Sequence, residues 1–220
     1  VSRGACPQGR YAHTAGRGGR PVWPWLRAVG LILAPEKETR MSSSSVTRPG
    51  AVTFKGNPLT LVGNEVAVGS AAIDFDLTCY GPNGMEHICK ADLLGKPAII
   101  SVVPSLDTPV CQTQTKVFNE RLSALGDKVT ALTVSLDLPF AMNRFCGAES
   151  ITNMKVGSDY MDRSFGTGWG LLIDELKILA RAVFVLDAAG TVVYAELVSE
   201  VASEPDYDAA IAALEKAVAA

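Results

Sequence analysis

Apolar residues along the chain recur in two rhythms, and the switches between them mark out the elements. Residues 98–103 (AIISVV) are apolar, largely β-branched and unalternating, the pattern of a strand buried on both faces, and Pro104 ends the run. After the loop residues 105–107, Thr108 reads as an N-cap and Pro109 as the first residue of a helix, where its fixed φ suits the turn and its missing N–H costs nothing. Val110, Val117, Phe118, Leu122 and Leu125 continue one face of that helix until Gly126 stops it. Residues 129–135 read as a second central strand, with Asp137 placed to cap a helix opened by Pro139. Residues 182–186 read as a third buried strand, Ala188-Ala189-Gly190 as a turn, and 191–198 as its antiparallel partner. Over 206–219, Tyr207, Ile211, Leu214 and Val218 stand at helical spacing.

Upstream of this core, 52–55 and 59–62 flank Gly56-Asn57-Pro58 as an N-terminal β-hairpin. A second hairpin is predicted from 75–79 and 85–88 around Gly81-Pro82-Asn83-Gly84, followed by a short turn at 92–95. Residues 150–170 carry no clear period and read as a long connection. The order after the hairpins is strand, helix, strand, helix, strand, strand, helix, which is an α/β arrangement.

Composition adjusts this picture at one end. Of the 220 residues, 48% are hydrophobic, enough for a sizeable core, and the formal net charge is only −3. That balance argues against nucleic acid or an anionic membrane as partner. Residues 1–40 hold seven Lys/Arg against two Asp/Glu, which leaves −8 on residues 41–220. The basic segment is rich in Gly, Arg and Pro without periodicity, so it reads as a disordered or extraneous extension ahead of one domain over 41–220. A targeting segment, or sequence upstream of a natural start at Met41, are the other readings. No stretch approaches the roughly 20 apolar residues that span a bilayer.

Five cysteines, at 6, 79, 89, 111 and 146, are too few and too scattered for a secreted disulfide framework. With no C-x-x-C and only His13 and His87, neither a structural zinc site nor a dithiol motif is expected. Cys111 falls in the first turn of the helix opened by Pro109, where unpaired backbone N–H groups and the positive end of the helix dipole favour a thiolate. Such a thiol is a nucleophile at neutral pH, although a cysteine on an apolar stripe with Phe118 and Leu122 also fits a plain core position. Thr108, three residues earlier, can reach the sulfur or act only as a cap. By position, Arg181 is a charge at the mouth of a buried strand, usually a surface residue.

Pro104-Ser105-Leu106-Asp107-Thr108-Pro109-Val110-Cys111 resembles the P-x-x-x-T-x-x-C motif of the peroxiredoxins, in the form seen in their thiol peroxidase branch, the atypical two-cysteine class. Leu138-Pro-Phe-Ala-Met-Asn-Arg-Phe-Cys146-Gly-Ala, Ala180-Arg-Ala-Val-Phe-Val-Leu-Asp187 and Glu204-Pro-Asp-Tyr207 extend the resemblance in the same order. It implies a thioredoxin-like fold of the peroxiredoxin type, with Cys111 as peroxidatic cysteine. Thr108 would then orient the thiolate or peroxide, Pro104 shield the pocket, and Arg181 supply positive charge. It also implies that Cys146 resolves the sulfenic acid by an intrachain disulfide, leaving Cys79 and Cys89 incidental; spacing alone leaves a disulfide between two chains open. The expected activity is reduction of hydrogen peroxide and alkyl hydroperoxides without metal, haem or flavin cofactor. A thioredoxin would act as reductant, in a cytoplasmic homodimer. A redox sensor that passes oxidation to a partner, or a non-catalytic thioredoxin-fold binding module, are the competing readings.

Overall fold

The computed structural model describes residues 46–220, so the expectation for residues 1–40 lies outside the described residues. Strands β3 (Asp76–Gly81), β4 (Gly84–Cys89), β5 (Ala98–Val102), β6 (Thr130–Ser135), β7 (Lys155–Ser158), β9 (Ala182–Leu186) and β10 (Val192–Leu197) form one sheet. Its order is β10-β9-β5-β6-β7-β3-β4. β5, β6 and β7 run parallel, and β9 joins β5 antiparallel. Helices α1 (Pro109–Leu122), α2 (Pro139–Ala148) and α4 (Tyr207–Ala219) cover one face, and the short helix α3 (Ser164–Gly168) lies over the other. This is the mixed α/β, thioredoxin-like arrangement expected from the sequence.

The unalternating run at β5 has a direct cause. Ile99 and Val103 enter the apolar cluster beneath α1, α2 and α4, while Ala98, Ile100 and Val102 enter the opposite cluster with Phe165 and Trp169. Both faces are covered, so every position is apolar except Ser101.

Three local expectations are corrected. α1 ends at Leu122, with Ser123 as its cap, and Gly126 instead opens a separate 3₁₀ turn, Gly126–Lys128. Its buried residues are Cys111, Gln114, Thr115, Phe118 and Leu122, whereas Val110, Val117 and Leu125 are only half-buried. The buried stripe is thus partly polar: Gln114 serves the site described below, and Thr115 Oγ1 donates to Cys111 O at 2.9 Å. Within 150–170, predicted as a connection, lie β7 and α3, with β8 (Leu172–Ile173) just after them. β7 has four residues, too few for a period to show, and includes Gly157, where a Cβ would come within 2.9 Å of the Leu77 side chain.

The N-terminal hairpin forms as expected from β1 (Thr47–Phe54) and β2 (Asn57–Val62), with β8 added to its edge. Lys55 (φ 51°) and Gly56 (φ 79°) make the turn, both in the left-handed region that a two-residue hairpin loop requires. Asn57 and Pro58 therefore pair in the ladder opposite Phe54 and Thr53. The hairpin tip is held by the segment after β10. Thr53 N donates to Ser199 O at 2.7 Å and Val201 N to Thr53 O at 2.8 Å. The Glu200 carboxylate accepts from Thr53 Oγ1 (2.9 Å), Lys55 N (3.0 Å) and Gly56 N (3.1 Å).

Candidate active site

Cys111 sits in the first turn of α1 with its side chain fully buried. Thr108 occupies the N-cap position but makes no side-chain capping bond. Its hydroxyl instead lies 3.0 Å from Ser105 O and 2.8 Å from Cys111 Sγ. One hydroxyl carries one proton. Beside a thiolate that proton points at sulfur; beside a neutral thiol the S–H can donate to Thr108 Oγ1 while the hydroxyl turns to Ser105.

Arg181 is not on the surface, as its position alone suggested: it is 1% exposed, at the entry to β9. Its Nη2 lies 3.4 Å from Cys111 Sγ. The rest of the guanidinium is spoken for by acceptors that fix its plane. Nε and Nη2 donate to Val201 O at 3.1 and 3.0 Å, and Nη1 donates to Gln114 Oε1 at 2.5 Å. Gln114 is oriented in turn because its Nε2 donates to Ser101 Oγ at 2.8 Å. The structure thus brings Thr108, Cys111 and Arg181 together, with hydroxyl and guanidinium donors both on the sulfur. Among the described residues Arg181 has no acidic partner, and a buried cation of that kind is costly unless its donors are matched; here backbone and amide oxygens do so and leave its charge to the sulfur.

Pro104 is buried where the chain leaves β5. With Ser105, Leu136, Asp137, Tyr160, Arg163, Lys177 and Ile178 it lines a cleft of about 330 Å³. Cys146 lies in the last turn of α2, half-buried against the same apolar cluster as Cys111, and both thiols are free. Burial pushes the Cys146 thiol up to about 11, so at neutral pH it is held protonated in this conformation. Cys79 is half-buried on β3, where burial and then the Glu86 carboxylate push its thiol up; Cys89 is buried at the end of β4.

Two residues of this arrangement were not singled out from sequence, and a third was given another role. Gln114 and Val201 hold Arg181 and have no distinguishing pattern, since one is an amide inside a helix and the other acts through its backbone oxygen. Asp137 was predicted to cap α2, yet Leu138 is the N-cap and no side chain caps the helix. The Asp137 carboxylate reaches back to the loop before α1, accepting from Ser105 Oγ at 2.8 Å and Leu106 N at 2.7 Å. The Glu204-Pro-Asp-Tyr207 segment docks α4: Asp206 caps it by accepting from Ala209 N at 2.9 Å, and the Tyr207 ring meets Phe118 of α1 edge-on at 5.2 Å. Among the described residues no cluster of His, Cys, Asp or Glu has the makings of a metal site.

Comparison with known proteins gives a consistent picture. The Redoxin family model matches residues 67–211. Thiol peroxidase from Bacillus subtilis is 52% identical over 162 residues, covering 74% of this chain and 95% of that protein. Thiol peroxidase from Streptococcus pneumoniae is 51% identical over 162 residues, 74% of this chain and 97% of that protein. Among solved structures, a peroxiredoxin-like protein from Aquifex aeolicus is 39% identical with a TM-score of 0.69, covering 76% of this chain and 97% of that one. Thiol peroxidase from Chromobacterium violaceum shares the fold at a TM-score of 0.66 and 20% identity, over 75% of this chain and 95% of that one.

Proposed function

Because the chain belongs to the Redoxin family and is a thiol-dependent peroxidase of the peroxiredoxin type, we propose that Cys111 is its peroxidatic cysteine and Cys146 its resolving cysteine. The substrates are hydrogen peroxide and alkyl hydroperoxides. The observation that carries this reading is the Cys111 sulfur held between the Thr108 hydroxyl and the buried Arg181 guanidinium.

In the first step the Cys111 thiolate attacks one peroxide oxygen and the O–O bond breaks. The sulfur becomes a sulfenic acid and the other oxygen leaves as alkoxide or hydroxide, taking a proton to become alcohol or water. Thr108 and Arg181 are placed to donate to both oxygens as they separate, and the resemblance assigns Pro104 the shielding of the pocket. In the second step the Cys146 sulfur, once deprotonated, attacks the sulfenic sulfur. A disulfide forms and water is released.

Cys111 is buried in a helical turn and Cys146 half-buried in another. The second step needs their Cα atoms within about 7 Å, reached by local unwinding where the helices hold them further apart. That unwinding also removes the burial that holds the Cys146 thiol protonated. A thioredoxin returns the disulfide to the dithiol, and the working unit is a cytoplasmic homodimer.

The test is peroxide consumption coupled to thioredoxin, thioredoxin reductase and NADPH. Sustained turnover that vanishes in Cys111→Ser supports the proposal. A single round of Cys111 oxidation without turnover would identify a sensor instead, and a Cys111 inert to peroxide would leave only a binding module.

A further inference from the structure

We propose that Asp137 is a positioning residue for peroxide reduction: its carboxylate fixes the loop ahead of Cys111 and so sets where the Thr108 hydroxyl meets the sulfur. The loop has few other ties. The last ladder bond from β5 is Val103 N to Val134 O at 3.0 Å, and beyond it the chain makes a local turn with Thr108 N on Ser105 O at 3.1 Å. Between these points the Leu106 side chain packs into the apolar cluster beneath α1, and the loop's hydrogen bonds to the rest of the fold are to Asp137, with Ser105 Oγ on Oδ1 and Leu106 N on Oδ2.

Asp137 is itself anchored at the ends of two strands. Its Oδ2 also accepts from Ser135 Oγ at 2.8 Å, its N–H donates back to that hydroxyl at 3.1 Å, and its carbonyl accepts from Ser158 Oγ at 2.5 Å. Ser135 ends β6 and Ser158 ends β7. The carboxylate is therefore a rigid strut from the parallel strands to the loop.

From the loop the linkage to sulfur is short. Ser105 presents its carbonyl to both the N–H and the hydroxyl of Thr108, and that hydroxyl lies on Cys111 Sγ. Moving Ser105 moves the carbonyl to which Thr108 N–H donates, and with that backbone the hydroxyl beside the sulfur. Donors in a site of this kind must be held to within about 0.5 Å, and a displacement of about 1 Å can cost on the order of 100-fold in rate. Nothing in this chain of contacts bears on whether Cys111 is merely accessible.

This inference rests on Cys111 being the peroxidatic thiol, and the experiment separates the two claims. The second-order rate of Cys111 oxidation by hydrogen peroxide is compared with its alkylation by iodoacetamide, in wild type, Asp137→Ala, Asp137→Asn and Ser105→Ala. Asp137→Ala is expected to slow peroxide oxidation by about 10- to 100-fold while changing alkylation by less than about threefold, because only the peroxide reaction needs the aimed donors. Asp137→Asn keeps an oxygen for Leu106 N and a planar group facing the serines, so it is expected to recover most of the peroxide rate.

A folded Asp137→Ala protein that reacts with peroxide at the wild-type rate, or loses both reactions equally, overturns the inference. If that variant does not fold, Ser105→Ala removes one of the two ties to Asp137, together with the Asp107 N bond to the same hydroxyl at 3.2 Å, and is expected to slow peroxide oxidation by about three- to tenfold, with alkylation unchanged. A wild-type rate there overturns the inference equally. A wild-type Cys111 that fails to react with peroxide would overturn the functional reading as well.

Discussion

Replacing Arg181 by alanine removes one group from three jobs, and the structure separates their magnitudes. The Nη2 contact to Cys111 Sγ at 3.4 Å is a charge-assisted bond, and losing such a bond costs about 1.5 to 3 kcal/mol. If about 2 kcal/mol of that is expressed in the transition state, where charge moves from sulfur to the departing oxygen, oxidation slows about 30-fold. The same change strips the buried Gln114 Oε1 of its Nη1 donor and Val201 O of two donors, which destabilises the fold by about 1 to 3 kcal/mol for each group left unpaired. Rate and stability therefore fall together. The assay is quenched-flow oxidation of Cys111 by hydrogen peroxide, counted by mass spectrometry and run well below the variant's melting temperature. Arg181→Lys keeps the charge, but a single ammonium cannot span Gln114, Val201 and the sulfur at once, so it is expected to regain only part of the rate. A folded Arg181→Ala protein that oxidises at the wild-type rate would refute the reasoning.

Cys146→Ser is expected to consume one peroxide per chain and then stall as a sulfenic acid that slowly over-oxidises, whereas replacing Cys79 and Cys89 together leaves turnover intact; peroxide stoichiometry with and without thioredoxin checks both. Glu200→Ala frees the hairpin tip from the segment whose Val201 carbonyl holds Arg181, so faster amide exchange at Val201 and a few-fold slower peroxide reaction are expected. Asp159 accepts from Phe165 N and Gly166 N, but burial outweighs these bonds and raises its carboxyl from 3.8 to about 6. The folded state thus holds this proton more tightly than the unfolded one, and the stability it contributes is fully present below pH 3.8 and lost as pH rises through about 6. The difference amounts to about 3 kcal/mol at 1.36 kcal/mol per unit. Urea unfolding at pH 4 and pH 7 should show Asp159→Asn flattening that component, and an unchanged pH dependence would contradict it.

The fold was legible wherever burial imposed a period. β5, β6 and β9 are covered on both faces and read as apolar runs, and Pro109 and Pro139 mark helix starts because proline loses nothing there. β7 and α3 were illegible because four or five residues are too few to show a rhythm, and their places are set by neighbours such as Leu77 beside Gly157. At the site, Cys111 and Thr108 were readable because their relation is local, three residues apart on one turn. Arg181 looked like a surface charge because what keeps it buried lies 20 and 67 residues away in Val201 and Gln114. Asp137 misled for a related reason. A carboxylate just before a proline-opened helix has the local marks of a cap, and only the loop 31 residues upstream shows where it is used.

The most direct test of the account is peptide mapping of the reduced protein after one equivalent of hydrogen peroxide, digested without reductant and read by mass spectrometry. The expected result is one disulfide-linked pair of peptides, carrying Cys111 and Cys146, from protein that still runs as a single chain on a non-reducing denaturing gel, and that disappears when reduced thioredoxin is added. A Cys111 left as free thiol, or bridged to Cys79 or Cys89 instead, would contradict it.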